Sequence, residues 1–448
     1  MATSLKRTHD HLETTQAKPA RYAGSSDEET DELEETPDRL DESGETLSQD
    51  EDECVADDVL DDIQRFETHF HNISQRYRLI NRIGEGTFST VYKAEDLLYD
   101  QYQNQWDDPS GYGKTSRSQK SRFVAIKKIY VTSSPQRIFN ELDLLNDLRD
   151  APNVCPLITA MRCLDQVVAV LPFFPHIDFR EYYRDLSIED MQVYFISLFT
   201  ALRSVHEKRI MHRDIKPTNF LYSPTQRKGV LVDFGLAERE GTEYHACPCV
   251  YEERDRNKRI NSSVHATSLR AAHTAGTSIR PMYPSNDQRS SRRANRAGTR
   301  GFRAPEVLLK CTAQTCAIDI WSCGIILLTF LSHRFPFFHS ADDIDAFIEL
   351  CAIFGKQRMR DTALLHGQVL HTNIPTISDS GHSWEKVILW CLHREKKNSA
   401  GEGGLSDEEA EAVKFMALCL ELDPKKRITA SEALKHPWLA GVAREMSG

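Results

Sequence analysis

The chain has 448 residues, 40% hydrophobic and 27% charged, with a net charge of −11, which is room for one large or two to three ordinary domains with a sizeable core. Residues 1–70 carry 22 acids against 6 lysines and arginines, so −16 sits there, +5 is left for the rest, and the acidity describes a tail. The 11 cysteines form no CxxC framework, no apolar run is long enough to span a membrane, and the start MATSLKRTHD has no apolar segment; a soluble cytosolic or nuclear protein is expected, not a disulfide scaffold, membrane protein or secreted precursor.

Residues 1–53 are rich in Ser, Thr, Asp, Glu and Pro and are expected to be a disordered acidic tail. Within it SSDEET (25–30) reads as a phosphorylatable tract or simply as solvated chain. Residues 54–75 carry an apolar stripe at helical spacing, Val59, Ile63, Phe66, Phe70 and Ile73, which predicts a helix docked on the domain C-terminal to it. Residues 76–174 hold strand-like runs at Tyr77–Glu85, Thr90–Glu95, Phe123–Val131, Pro156–Arg162 and Gln166–Phe174, with one helical pattern, Arg137–Arg149. From 175 to 440 the patterns are mostly helical, and 441–448 is a short tail. Strands followed by helices predict an α+β chain with a small β-rich N-lobe and a larger helical C-lobe. Three interruptions read as inserts: residues 97–121, residues 238–297, and a late one at about 356–407 in which 393–407 is loop-like.

IGEGTFSTVYKAED sets Gly84 and Gly86 between two strands, with Ser89 where a third glycine would complete a phosphate-covering loop. Glycines there let backbone N–H groups approach phosphates, though a plain hairpin turn is the alternative. A strand after the turn, not a helix, argues against a dinucleotide fold. In FVAIKKI, Ala125 and Lys127 share one strand face, as a flat adenine and its phosphates would need, while ordinary surface lysines remain the alternative. Val91 can cover the same ring, and Leu171 closes its back ahead of a hinge at residues 172–174, or is ordinary strand packing. In QRIFNELDLLNDLRD, Glu141 falls on the buried stripe of Ile138, Leu142, Leu145 and Leu148, where a carboxylate needs an internal cation, and Lys127 is the candidate. Asp233 ends an apolar strand before Phe234-Gly235, a place for a metal-bridged phosphate or a simple turn.

RIMHRDIKPTNFLY (209–222) places Asp214 between Arg213 and Lys216 with Asn219 close behind. Together these groups suit phosphoryl transfer from ATP to a hydroxyl. Asp214 orients the hydroxyl and takes its proton late, since a carboxylate of ordinary basicity is a poor early base at pH 7. Lys216 neutralises the transferred group, Asn219 and Asp233 hold Mg²⁺, and Lys127, fixed by Glu141, holds the α- and β-phosphates. A loose transition state needs mainly alignment and electrostatics, which such groups supply.

The ordered set of glycine loop, VAIK, helix Glu, HRD-x-K-x-x-N, DFG and Ala304-Pro305-Glu306 resembles the eukaryotic protein kinases over about residues 75–440. Only Ser89 departs from the pattern. By this resemblance Asp319, in DIWSCG, braces the catalytic-loop backbone and Arg427 pairs with Glu306. The long Gly235–Ala304 interval, HRDIKPTNFLY, LVDFGLAERE and RAGTRGFRAPEVLLKC resemble the cell-division-cycle-seven family of nuclear serine/threonine kinases, and LLHGQVLHTNIPTI (364–377) resembles a fungal member. The resemblance implies ATP and Mg²⁺, an activating regulatory subunit of the dumbbell-former type, minichromosome-maintenance helicase subunits as substrates, and origin activation. It also suggests Zn²⁺ in the long insert, where Cys247 and Cys249 lack a second Cys pair and His245, His265 and His273 are the replacements at hand; a metal-free insert is the alternative.

Arg296, Arg300 and Arg303 surround Thr299 in the segment that, in kinases, underlies the substrate residue just after the phosphorylated one. Arginines there favour an acidic or phosphorylated side chain, and Arg296 and Arg303 match the family's positions. Alternatively, Arg303 is structural. RSSRRANR (289–296) reads as a nuclear import signal or a solvated loop. Two other readings compete: another acidophilic or splicing-type kinase, and a pseudokinase scaffold, against which Lys127, Asp214, Asn219 and Asp233 all speak.

Overall fold

A computed structural model describes residues 55–70, 72–86, 88–102, 104, 122–241, 247–262, 267, 271, 274–275, 296–395 and 403–447. The acidic tail to residue 53, most of the 97–121 insert, residues 289–295, and His245, His265 and His273 lie outside them. The chain divides into two compact units, one of residues 1–83 and 92–124 and the other of 84–91 and 125–448.

The first unit contains helix α1 (Asp57–His69), which buries Val59, Ile63 and Phe66. Phe66 stacks on Tyr92 at 5.3 Å, and Arg82 donates to Asp58 and Asp62 on the helix at 3.0 and 2.9 Å. The apolar stripe runs on to Ile73, but the helix does not. Asn72 takes a left-handed conformation (φ 74°), which Asn tolerates better than most residues, and a separate turn, Ile73–Arg76, comes next.

Strands β1 (Tyr77–Glu85), β2 (Ser89–Asp96), β3 (Phe123–Ile129), β4 (Thr159–Cys163) and β5 (Gln166–Pro172) make a sheet in the order β1-β2-β3-β5-β4. β4 pairs antiparallel with β5, from Thr159 opposite Val170 to Cys163 opposite Gln166. The fourth strand starts at Thr159, later than the sequence predicts, although Ile158 N–H still donates to Val170 O on β5 (2.9 Å); further upstream Cys155 N–H donates to Leu231 O (2.9 Å) and Leu231 N–H to Asn153 O (2.7 Å). Helix α2 (Pro135–Asp147) starts on a Ser134 cap with proline in its first turn, both good starters, and buries Glu141, Leu144 and Leu145.

The core of the second unit forms around helix α3 (Ile188–Glu207). Its Tyr194 meets Phe195, Phe220 and Phe330 at 4.9–5.3 Å. Aromatic burial of this kind dominates core energetics. Two short antiparallel pairs frame the chemistry: β6 (Ile210–Met211) with β9 (Glu238–Arg239), and β7 (Phe220–Ser223) with β8 (Lys228–Leu231). Loops 212–219 and 232–237 emerge between them and are tied by Val232 N–H to Asn219 O at 3.0 Å.

Inside the long insert the structure has a helix that sequence periodicity does not show, α4 (Glu253–Asn261). It buries no residue, so it carries no apolar stripe; acids at its start and bases at its end complement its dipole. Beyond it come α5 (Ala317–Ser332), buried along nearly its whole length, and α6 (Asp343–Phe354). The region of the late insert holds α7 (Lys356–Leu365) and a further helix, Trp384–Cys391.

Candidate active site

Lys127, on β3, is buried and donates from Nζ to Glu141 Oε1 on α2 and to Asp233 Oδ1, each at 2.7 Å. Burial alone would lower its pKa, but the two carboxylates outweigh this and push it up. Burial would likewise raise Asp233, yet the Lys127 charge and hydrogen bond, with the Gly235 N–H, hold it well below the usual carboxylate range. The pair is therefore ionised at neutral pH. The Asp233 side chain is 47% exposed, and the bonds it accepts from Lys127 and from the Gly235 N–H both go to Oδ1.

Two further side chains of α2, which sequence reading does not single out, reach the same loop. Arg137 Nε donates to Gly235 O and Asn140 Nδ2 to Ala237 O, both at 2.9 Å. The Arg137 guanidinium also lies over the Phe88 ring at 3.8 Å, which joins the glycine-loop tip to this helix.

In that loop Gly86 N–H bonds Ser89 O at 2.9 Å. A Cβ on Gly84 or Gly86 would come no nearer than 3.8 Å to other atoms, ordinary contact, so among the described residues nothing demands glycine at either position. Val91, Ala125 and Leu171 are all half-buried.

Asp214 is buried, and its carboxylate is held from two sides. Thr299 donates its backbone N–H (2.9 Å) and hydroxyl (2.8 Å) to Oδ1, and Asn219 Nδ2 donates to Oδ2 at 2.9 Å. Lys216 Nζ lies 3.2 Å from Oδ2 and donates to Thr299 Oγ1 at 2.9 Å. Arg213, the other cation flanking Asp214, turns away and pairs with Glu238 on β9. Asp319 accepts the His212 and Arg213 backbone N–H groups at 2.8 Å each and faces His206 Nε2 at 2.9 Å. Arg427 forms a two-pronged, fully buried pair with Glu306 at 2.7 and 3.1 Å. Gly298 is required as glycine: its φ is +102° and a Cβ there would lie 2.3 Å from Arg213 O.

The three arginines near Thr299 are not equally available. Arg300 donates to Ser340 O and Ala341 O. Arg303 donates from Nε to Gly298 O at 2.7 Å and from Nη1 to Asp343 Oδ1 at 2.6 Å. Arg296 donates to Asp343 Oδ2 at 2.8 Å and is 40% exposed.

Cys247 and Cys249 meet side chains that the sequence does not link to them. Cys311 follows the Glu306 helix and His366 follows α7. The four ligand atoms lie within 4.8 Å of one another and all four residues are buried; Cys249 Sγ to Cys311 Sγ is 3.6 Å, and Cys247 Sγ to His366 Nδ1 is 3.7 Å. A tetrahedral zinc with bonds near 2.3 Å to sulfur sets its ligand atoms roughly 3.8 Å apart. Donor type, number and spacing therefore fit zinc, with ligands other than the insert histidines expected from sequence.

A family model described as protein kinase domain matches residues 111–254 and 284–439. The cell cycle serine/threonine-protein kinase hsk1 of Schizosaccharomyces pombe is 46% identical over 398 residues, covering 85% of this chain and 75% of its own. The cell cycle protein kinase spo4 of the same yeast is 40% identical over 383 residues, covering 84% and 88%. The cell division cycle 7-related protein kinase of Homo sapiens is 26% identical over 549 residues, covering 85% and 92%.

Proposed function

The chain belongs to the protein kinases, in the cell-division-cycle-seven family, and from that premise we propose that it phosphorylates serine or threonine followed by an acidic or phosphorylated residue in minichromosome-maintenance helicase subunits, in the nucleus, with an activating subunit of the dumbbell-former type. It is a serine/threonine protein kinase and so uses ATP and Mg²⁺. The splicing-type and scaffold alternatives are not retained.

The observation that carries the mechanism is the doubly paired Lys127. It joins β3, α2 and the 232–237 loop at one buried point, and its ammonium is the group that would hold the α- and β-phosphates. Gly84 and Gly86, with Ser89 beside them, would lie over the phosphates. Val91, Ala125 and Leu171 flank the ring. Asn219 and Asp233 offer the hard oxygen ligands that suit Mg²⁺, which when bound neutralises phosphate charge. Thr299 and Asn219 fix the Asp214 carboxylate, so its contribution to catalysis is orientation of the incoming hydroxyl and acceptance of its proton late in transfer. Lys216 screens the moving group. Zinc would be held by Cys247, Cys249, Cys311 and His366, fastening the insert to the body of the second unit.

The test is phosphate transfer from labelled ATP to recombinant N-terminal tails of the helicase subunits, with the activating subunit present. Incorporation at Ser-acidic sites is expected. Transfer confined to unrelated basic substrates would overturn the substrate assignment.

A further inference from the structure

Asp342 and Asp343 both begin α6, but only Asp342 caps it, accepting the Ile344 and Asp345 N–H groups at 2.8 Å each. The Asp343 carboxylate is thus left for another task. It takes one arginine on each oxygen, Arg303 on Oδ1 and Arg296 on Oδ2. Arg300 meanwhile donates to the carbonyls of Ser340 and Ala341, just ahead of the same helix start. All three arginines of RAGTRGFR therefore converge on residues 340–343.

We infer that Asp343 is a specificity-positioning residue: it holds the Arg296 and Arg303 guanidiniums side by side so that they clasp a phosphate or carboxylate on the substrate residue following the phosphorylated one. The inference rests on the proposed preference for acidic residues at that position. A carboxylate is the right spacer because its two oxygens sit close together and each engages one Nη1, leaving the far edge of Arg296 and, since its Nε is held by Gly298 O, the Nη2 of Arg303 for a ligand. Two positive charges and one negative leave a net attraction for an anion. Arg303 has a second anchor in Gly298 O, whereas Asp343 is the only hydrogen-bond partner of Arg296 among the described residues. Without Asp343 the half-exposed Arg296 would be loose, and the ordering it then needs on binding would be lost from affinity. A competing view is that Asp343 is merely a counter-ion that weakens the site, and it predicts the opposite sign.

The experiment compares kcat/KM for three peptides, Ser followed by Ala, Asp or phosphoserine, using the full-length chain with its activating subunit. Wild type, Asp343→Asn, Asp343→Glu, Arg296→Ala and the Asp343→Asn/Arg296→Ala double variant are assayed. For Asp343→Asn, the phosphoserine-to-alanine ratio should fall about tenfold, the order of one charge-assisted hydrogen bond. Asp343→Glu should recover part of the ratio. In the Arg296→Ala background, Asp343→Asn should cost much less, since coupled groups are not additive. A ratio retained or raised in Asp343→Asn overturns the inference, as does an equal fall for all three peptides, which a purely structural role would give. A wild type indifferent to the three peptides removes the underlying preference and the inference with it.

Discussion

Lys127 and Asp214 are both buried, but burial serves them differently. Lys127 balances two carboxylates, so its removal leaves Glu141 facing Asp233 without the intervening charge. Asp214 keeps its position through Thr299 and Asn219, and Asp214→Asn preserves its shape while removing the proton acceptor. Each of Lys127→Ala and Asp214→Asn is expected to lower kcat by roughly 10²–10⁴-fold with the chain still folded, the usual range for a catalytic group. Glu141→Gln should cost less, because an amide oxygen still accepts from Lys127. Transfer assays read beside circular dichroism decide it, and wild-type-like turnover by either of the first two variants would defeat the role assignment. At this scale the sequence was informative where spacing is short or periodic. Helical periodicity placed Glu141 on a buried face, where only an internal cation satisfies it, and the structure puts it against Lys127. Asp343 was not legible, since an acid at a helix start ordinarily reads as a cap or a dipole partner. Nor was the diversion of Arg300 to backbone carbonyls, which depends on a loop 40 residues away.

Among elements, α2 and the long insert show two ways of fastening a segment. Helix α2 is tied to the 232–237 loop by Arg137 and Asn140 as well as by the Lys127 bridge. The Arg137 and Asn140 ties go to backbone carbonyls, and nothing in the residue types announces them. The insert is fastened at Cys247 and Cys249, and by Lys425 donating to Val250 O at 3.0 Å. Sequence reading found the Cys-x-Cys pair but sought its partners within the insert, whereas Cys311 and His366 lie 62 and 119 residues away from their nearest contacts. Only tertiary packing brings them together. The chain purified without chelators should carry about one zinc, the capacity of one four-ligand site. Cys311→Ser or His366→Ala should release it and make residues 247–262 more susceptible to limited proteolysis. Metal analysis showing no zinc in the wild type, or an unchanged zinc content in both variants, would contradict the assignment; oxidation of Cys249 and Cys311 to a disulfide is the alternative that mass spectrometry would reveal.

For the molecule as a whole, the question is whether the second unit maintains its catalytic arrangement unaided. The family resemblance implies an activating subunit, and the structure adds the in-chain ties just described. Those ties are not all compatible with catalysis. Lys127 and Asp233 bond each other directly, yet in the proposed mechanism one must turn to the phosphates and the other to the metal. Once that bridge opens, α2 keeps Glu141 with Lys127 and two neutral acceptors. Its outer face still presents Phe139, 61% exposed, and the loop before it Val131, 59% exposed. Apolar groups there offer an activating subunit a surface whose burial would favour the inward helix, and a ligand shifts an equilibrium only by such differential binding. We therefore expect the purified chain alone to be at least tenfold less active than the reconstituted heterodimer, with Phe139→Asp abolishing most of the gain while leaving the monomer's residual rate intact. Equal activity of monomer and heterodimer would refute the dependence. A full gain retained by Phe139→Asp would place the activating contact elsewhere on the chain.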